Sequence, residues 1–375
     1  MVSVLHVTQP TSGGVARVVL GLAKAQQESG LDVAVAAPAG ELSEKLLAAG
    51  VPWQRWDSSR QPGPSLTDER RALKHIIAGR DPDLVHLHSS KAGLVGRLAL
   101  RGRVPTVFQP HAWSFLAAEG RTRIAATKWE QYATRWTDLI LYCSLQEQKD
   151  GASHGIDGPG RIVLNGVDLT QFRAPTPADR AAGRRLLGLP ADAFVAAVVG
   201  RRSEQKGQDI ALQAWQAVRS AAPSAVLVLM GEGYEDGYSA AEGVMTRAAG
   251  DNVRSVFAAA DVVLSPSRWE GLSLSLLEGM ATARPTIASD VAGSREALIE
   301  GPLPAAGAVV EREDVDALSR EILARLHNPD LVRREAAAAR SRIETSFNET
   351  ATTRSVMDAY RLLLIRAGSV GSTAG

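Results

Sequence analysis

A basic loop in the second half of the chain is the first place where residue types and spacing could do chemistry. Residues 194–199 have the β-branched, apolar character of a buried strand, and the loop Gly-Arg-Arg-Ser-Glu-Gln-Lys-Gly follows as residues 200–207. Arg201 and Lys206 therefore lie at a strand end, just before a helical segment. Two cations there could bind a diphosphate and stabilise it as a leaving group. A solvated basic loop is the alternative that this segment alone leaves open.

Two glutamates eight positions apart, Glu270 and Glu278, form the second group. An apolar strand from Asp261 precedes them, and a helix is predicted to begin near residue 272 or 273, so Glu270 precedes the helix and Glu278 lies about two turns on. A carboxylate there could accept hydrogen bonds from ribose hydroxyls. Main-chain N–H groups at the helix start could hold phosphate oxygens, and these belong to Gly271, Leu272, Ser273 and Leu274. The alternative, two solvent-facing helix charges, leaves the apolar sequence around them unexplained.

Two features of the first half also follow predicted strands. Gly13 and Gly14 would let backbone N–H groups approach an anion at the start of a helix, although the GxGxxG spacing of dinucleotide sites is absent. A simple tight turn is the alternative. His111 lies in Gln-Pro-His-Ala-Trp, and on its own it is typical of a hydrogen-bonded structural histidine.

Short β-branched runs alternate with helical-period segments along nearly the whole chain, which predicts parallel sheets covered on both faces. A proline-containing connection at 168–193 lacks strand signals, and the alternation restarts at 194. We predict an α/β protein with two Rossmann-like, doubly wound domains, residues 1–170 and 171–375, and a helix at about 348–367 that packs back on the first. Because ligands bind beyond the carboxyl ends of such strands, the loops identified above are expected to face one cleft.

Composition excludes several classes of function. The 42 Lys and Arg residues balance 41 Asp and Glu residues, so nucleic acid is not an expected partner. One cysteine, Cys143, can form neither an internal disulfide nor a Cys-rich metal site, and no signal peptide or long apolar run is present, so a cytoplasmic protein is expected. Asp81-Pro82-Asp83 imitates a metal-binding DxD motif but precedes a strand, which favours a turn. No metal and no cofactor are therefore expected.

The order of these motifs resembles glycosyltransferase family 4, the retaining, nucleotide-sugar-dependent enzymes of the GT-B fold, over nearly the whole chain. Glu270 and Glu278 correspond to the family's EX7E pair. The other matching motifs are Gly13-Gly14, Asp83-Leu-Val-His-Leu-His88, His111, Asn165-Gly-Val-Asp168, Gly200-Arg201, Lys206-Gly207 and Gly231-Glu-Gly233.

The resemblance implies a role for each matching residue. Arg201 and Lys206 would hold the donor diphosphate, Glu278 the ribose, and Glu270 the hydroxyls of the donor sugar, near which His111 would also lie. Amides of residues 271–274, with Gly13 and Gly14, would contact sugar and phosphate. The family explains retention by front-face attack, in which the leaving phosphate helps to take the proton, so no protein base is assigned.

Three departures from the family pattern stand out. Glycine replaces the usual alanine at Gly279, and Arg202 stands where an apolar residue is common. Residues 232–260 show little of the family's usual loop and strand in the region that helps to shape the base pocket. A UDP-sugar is the favoured donor, with a GDP-sugar as the alternative.

The acceptor side carries a basic, aromatic segment at residues 91–136, with eight Lys or Arg residues against two glutamates. Trp113, Phe115, Trp129 and Trp136 are interleaved with them, which suits a surface touching anionic lipid headgroups, and equally suits basic helices whose aromatics turn into the core. The segment resembles family members that extend lipid-linked polysaccharide precursors, so we expect a lipid-linked acceptor and peripheral contact with the inner face of the plasma membrane. A soluble small-molecule or natural-product acceptor, a sugar-nucleotide epimerase, a phosphorylase and a non-catalytic nucleotide-sugar-binding protein are the alternatives.

Overall fold

A computed structural model describes residues 1–234, 242–250 and 253–371. The chain divides into two compact units. Unit 1 comprises Met1–Asn165 together with the C-terminal helix, Glu349–Gly371, and unit 2 comprises Gly166–Asn348.

Unit 1 contains a seven-stranded parallel sheet in the order β3-β2-β1-β4-β5-β6-β7. Its strands are β1 Ser3–Thr8, β2 Asp32–Ala37, β3 Trp53–Arg55, β4 Leu84–His88, β5 Thr106–Gln109, β6 Leu139–Tyr142 and β7 Gly160–Ile162. Its helices, besides the C-terminal one, are α1 Gly13–Glu28, α2 Glu41–Ala48, α3 Leu66–Arg80, α4 Ser89–Leu100, α5 Gly120–Ala133 and α6 Leu145–Ser153, with 3₁₀ turns at Ser114–Leu116 and Thr134–Trp136.

Helices cover both faces of this sheet because successive strand residues point to opposite sides. On β1, Leu5 enters one hydrophobic cluster and Val4 enters the cluster on the other face. The second cluster includes Leu22 of α1 with Val356 and Tyr360 of the C-terminal helix. The last helix of the chain is therefore part of the core of unit 1.

Unit 2 contains a six-stranded parallel sheet in the order β10-β9-β8-β11-β12-β13. Its strands are β8 Val195–Val199, β9 Val226–Gly231, β10 Val244–Ala248, β11 Val262–Ser265, β12 Thr286–Ser289 and β13 Gly307–Val310. Its helices are α7 Pro177–Leu187, α8 Gln208–Ala221, α9 Val253–Ala259, α10 Leu274–Ala281, α11 Ser294–Leu298, α12 Val315–His327 and α13 Pro329–Ser346, with a 3₁₀ turn at Glu204–Lys206.

The predicted fold class, two α/β domains with parallel sheets, is confirmed. The expectation that residues 232–260 lack the usual strand is wrong, because β10 lies there and pairs with β9. β10 is an edge strand whose residues are half-buried or exposed, so its sequence carries little apolar signal. Residues 235–241 and 251–252 of that segment lie outside the described residues.

Candidate active site

In unit 2, the two loops that carry the sequence motifs follow neighbouring strands. β8 pairs with β11, and the order of strands reverses between them. At such a switch point, open α/β sheets leave a crevice for ligands at the carboxyl ends of the strands. The loops after these strands are in direct contact. Gly207 has a φ of +62°, and a Cβ atom there would lie 2.0 Å from the carbonyl oxygen of Pro266. Only glycine permits this approach.

An ion pair joins the two loops across the switch point. Lys206 Nζ donates to Glu270 Oε1 at 2.6 Å, and the Ser267 hydroxyl donates to the same oxygen at 2.8 Å. The side chains of Lys206 and Glu270 are 21% and 9% exposed. Lys206 is therefore a partly enclosed cation with a fixed partner, which the solvated-loop alternative does not describe. Arg201 lies in the same loop, half-buried, and its carbonyl oxygen accepts a hydrogen bond from Gln208 Nε2 at 2.9 Å.

Arg268 holds the two loops in register, and the sequence motifs did not single it out. Its guanidinium donates to both carboxylate oxygens of Asp209 at 3.0 and 2.7 Å, to Glu313 at 2.6 Å and to the carbonyl of Glu204 at 2.9 Å. Arg268 lowers the pKa of Asp209, and the hydrogen bonds that Arg268 donates to Asp209 and Glu313 raise the pKa of Arg268. The residue has no motif of its own, because its role depends on segments that meet only in the fold.

Glu278 lies on α10 and is 2% exposed. Glu270 is 8% exposed, so neither glutamate is a solvent-facing helix charge. The backbone of residues 271–274 forms the approach to α10, whose N-cap is Ser273. The departure at Gly279 has a steric reason, because a Cβ atom there would lie 2.9 to 3.1 Å from the side chain of Val263 on β11.

In unit 1, the strand order reverses between β1 and β4. Gly13 and Gly14 open α1 just beyond β1. Gly13 has a φ of +75°, and a Cβ atom there would meet no described atom within 4 Å beyond those of its chain neighbours. The space beside Gly13 is therefore open, but the positive φ would strain the backbone of any other residue at this position. The turn presents backbone at the carboxyl edge of the sheet, and the approach of an anion there stays a prediction.

His111 lies in a strained turn after β5. His111 and Ala112 have positive φ values of 54° and 90°. Glu147 supports this turn from α6, since its carboxylate accepts hydrogen bonds from the Ala112 N–H at 2.7 Å and from the Cys143 N–H at 2.7 Å. Burial raises the pKa of Glu147 although these hydrogen bonds oppose the rise. Glu147 is a second functional candidate that sequence reasoning missed, since a single glutamate on a helix has no distinctive spacing.

A cluster of buried histidines connects to His111. His88 Nδ1 lies 3.1 Å from His111 Nε2, and His88 Nε2 lies 2.9 Å from His6 Nδ1. Burial lowers the pKa of His111 to about 3 and that of His6 to about 4. Burial and the neighbouring histidines hold the pKa values of His86 and His88 well below the ordinary range. His6, His86 and His88 are also the group of side chains within the described residues that could hold a metal ion.

The DxD-like sequence has a structural role. Asp81 ends α3 in the left-handed conformation, and Asp83 Oδ2 accepts a hydrogen bond from the Ser3 N–H at 2.8 Å. Both residues precede β4, at the amino edge of the sheet. The structure thus uses them in the turn that leads into the strand.

The basic, aromatic segment is only partly exposed. Lys91 and Arg97 are buried in ion pairs with Glu69 and Glu130, each at 2.7 Å. Trp113 and Phe115 belong to the core of unit 1, so the interpretation with aromatics turned inward holds for them. The remaining basic side chains are exposed, at Arg101, Arg103, Arg121, Arg123, Lys128 and Arg135, and exposed Ile124 and Tyr132 lie among them.

Known structures define the class of the fold. The chain superposes on crystal structures of Anabaena Alr3699/HepE with a TM-score of 0.81 at 20% identity in the complex with UDP-glucose, covering 96% of this chain and 100% of that one. WaaG, a glycosyltransferase involved in lipopolysaccharide biosynthesis, matches with a TM-score of 0.73 at 16% identity over 94% and 98% of the two chains. The two parallel-sheet domains are thus those of the GT-B glycosyltransferases.

Sequence comparison defines the family. Residues 12–171 match the model for Glycosyltransferase Family 4, and residues 193–328 match that for Glycosyl transferases group 1. A D-inositol 3-phosphate glycosyltransferase of Mycobacterium avium is 32% identical over 74% of this chain and 69% of its own. The Escherichia coli UDP-Gal:alpha-D-GlcNAc-diphosphoundecaprenol alpha-1,3-galactosyltransferase is 26% identical over 77% and 78%. The chain belongs to glycosyltransferase family 4, which confirms the predicted family, and it is a glycosyltransferase that uses a nucleotide-sugar donor.

Proposed function

We propose that the protein transfers a hexosyl group, with retention of anomeric configuration, from a UDP-sugar to a hydroxyl of a lipid-linked glycan precursor. The observation that carries the proposal is the ion pair between Lys206 and Glu270 at the switch point of unit 2. It joins a cation suited to a diphosphate with a carboxylate suited to sugar hydroxyls, in two loops that a nucleotide sugar could bridge.

Each residue of the site has a role in the proposed reaction. Lys206 and Arg201 neutralise the diphosphate as it leaves, in a partly enclosed site where such charges are worth more than in water. Glu278 accepts hydrogen bonds from the ribose, and Glu270 from the donor sugar. The acceptor attacks the face that the diphosphate leaves, and the leaving phosphate oxygen takes the acceptor proton. The reaction is proposed to need no metal, since the two cations and the N–H groups of residues 271–274 supply the positive field.

The donor is proposed to carry uracil. The Escherichia coli relative is named for UDP-Gal, and the Anabaena structure was determined with UDP-glucose. A Corynebacterium glutamicum relative, 33% identical over 49% of this chain, is named as GDP-mannose-dependent, and it supports a GDP-sugar as the alternative donor.

The acceptor is proposed to be lipid-linked, as it is for the Escherichia coli relative. The exposed cations and apolar side chains at and around α5 would bring the protein to an anionic membrane surface. No described helix has the length and apolar character that spanning a bilayer requires. The D-inositol 3-phosphate glycosyltransferase relatives support a second candidate, transfer to a small phosphorylated acceptor in solution.

Calorimetric titration tests the donor site. UDP, GDP and ADP are titrated into the metal-free protein and again with magnesium, for the wild type, Arg201→Ala and Lys206→Ala. Arg202→Ala, which removes an exposed cation from the same loop, is the matched control. We expect metal-independent binding of UDP, weakened on the order of tenfold or more by Arg201→Ala and Lys206→Ala and little by the control. Equal binding by all variants would refute the diphosphate site.

Retention and the acceptor have separate tests. Proton NMR of the first-formed glycoside distinguishes retention from inversion. Co-sedimentation with vesicles of phosphatidylglycerol and phosphatidylcholine tests the membrane surface, and the triple variant Arg121→Glu, Arg123→Glu, Lys128→Glu should lose binding. If the wild type does not sediment with these vesicles, the soluble acceptor becomes the better proposal.

A further inference from the structure

A line of hydrogen-bonded side chains runs from α1 to the turn that carries His111. Gln26 Oε1 lies 2.8 Å from His6 Nε2, and His6 Nδ1 lies 2.9 Å from His88 Nε2. His88 Nδ1 lies 3.1 Å from His111 Nε2. Gln26, His6 and His88 are fully buried, so protein groups must satisfy their hydrogen bonds.

The chemistry of the first contact determines where every proton of this line lies. An amide oxygen only accepts hydrogen bonds, so His6 Nε2 must carry the proton, and neutral His6 then offers a lone pair at Nδ1. His88 must therefore donate from Nε2 and accept at Nδ1. By the same step, His111 donates from Nε2 and keeps its lone pair on Nδ1.

We infer that Gln26 is a positioning residue that acts through His6 and His88 to hold His111 as the tautomer with a proton on Nε2 and a lone pair on Nδ1. The inference rests on the proposed function, together with the place near the donor sugar that the family resemblance implies for His111. His111 can then accept a hydrogen bond from a sugar hydroxyl through Nδ1 and cannot donate one. Since burial disfavours the charged form of each imidazole, this pattern stays the same across neutral pH.

Gln26 is the point that sets the direction of the line. Turning its amide would present an N–H to His6 and reverse every proton, which would leave His111 with a donor at Nδ1. His86, the neighbour of this line, has a partner of its own. Its Nδ1 lies 2.5 Å from the hydroxyl of Tyr360 on the C-terminal helix, so His86 Nδ1–H can donate to the tyrosine oxygen outside the line.

The same histidines could instead bind a transition metal, but their arrangement favours hydrogen bonding. Two nitrogens on a tetrahedral zinc lie about 3.3 Å apart, whereas His6 Nδ1 and His88 Nε2 are separated by an N–H···N distance of 2.9 Å. The rings of His86 and His88 lie with centroids 3.8 Å apart and planes tilted by 37°, so these two rings meet face towards face. A metal would also require His88 to donate from Nδ1, which predicts the opposite tautomer at His111.

Nitrogen NMR of the full-length protein, labelled with ¹⁵N-histidine, reads these tautomers directly. We expect Nε2–H forms of His6, His88 and His111, assigned by single substitutions. Gln26→Met, an unbranched replacement without an amide, should give a mixture of tautomers at His111, whereas Gln27→Met on the exposed neighbour should not. An Nδ1–H form of His111 in the wild type would overturn the proposal, as would about one equivalent of zinc or copper in elemental analysis.

A double-mutant cycle separates positioning from general damage. Turnover is followed as UDP release from UDP-galactose and UDP-glucose. Gln26→Met should lower kcat about fivefold, the factor of one neutral hydrogen bond, and should have no further effect in a His111→Ala background. Equal losses in both backgrounds would show a merely structural role. If the tautomers are as inferred but His111→Ala is fully active, the role of His111 in the proposed function fails while the hydrogen-bonded line stands.

Discussion

Replacing Glu270 by glutamine should strengthen nucleotide binding and weaken turnover. Lys206 is bound to Glu270 at 2.6 Å, with side chains 21% and 9% exposed, so an arriving diphosphate must share or displace this partner. The pair lies between a surface ion pair, worth up to about 1 kcal/mol, and a buried one, whose disruption costs about 3 to 5 kcal/mol. We therefore take about 1.4 kcal/mol as the free energy that the diphosphate must spend to displace Glu270 from Lys206. Removing that cost in Glu270→Gln corresponds to about tenfold tighter UDP binding.

Calorimetry with UDP measures this change, and Glu204→Gln is the matched control because it removes an exposed charge from the same turn as Lys206. Turnover of Glu270→Gln should fall on the order of a hundredfold, since a neutral amide replaces the carboxylate proposed to hold the sugar. The amide oxygen can still accept from Ser267, so the fold should survive. Unchanged or weaker UDP binding would refute the reasoning that Glu270 and the diphosphate compete for one cation.

Three further substitutions test the framework of the sites. In urea titrations at neutral pH, Arg268→Met should lower the free energy of unfolding by about 2 kcal/mol, and the loss stays at this level because the partners of Arg268 are largely exposed. The difference from the wild type should shrink as the pH falls, because Asp209, whose pKa Arg268 lowers, is then protonated. Gly279→Ala should destabilise by about 1 to 3 kcal/mol, and Val263→Ala should relieve part of the loss; additive losses would contradict the steric account. Arg97→Met should cost about 3 to 5 kcal/mol by leaving its glutamate partner buried and unpaired, and a loss under 1 kcal/mol would contradict this.

The fold was predictable because the spacing of apolar residues that distinguishes strands from helices can be read within each short segment of the sequence. β2, β4 and β5 coincide at both ends with apolar, β-branched runs of the sequence at 32–37, 84–88 and 106–109. The predictions were poorer at the sheet edges. β10 was missed and β3 is only three residues long, because an edge strand is buried on fewer sides and its sequence alternates weakly.

The candidate sites were predictable only where a motif is continuous in sequence. The spacing of Glu270 and Glu278 placed one before a helix and one within it, as in the structure. The contact between Lys206 and Glu270 spans 64 positions and exists because β8 pairs with β11, which no local pattern encodes. Arg268 was missed for the same reason.

Both units hold polar side chains at the carboxyl edge of an apolar sheet, but unit 2 does so with an ion pair and unit 1 with neutral hydrogen bonds. In unit 2, Lys206 and Glu270 remain a charge pair, which keeps a cation available for an anionic ligand at the cost of competition for it. In unit 1, burial lowers the pKa values of His6 and His111 and keeps both imidazoles neutral. Hydrogen bonds rather than charges therefore fix the proton positions between α1 and the turn of His111. Added salt should therefore weaken nucleotide binding at the first site and leave the histidine tautomers of the second unchanged, because screening acts on charges and not on neutral hydrogen bonds.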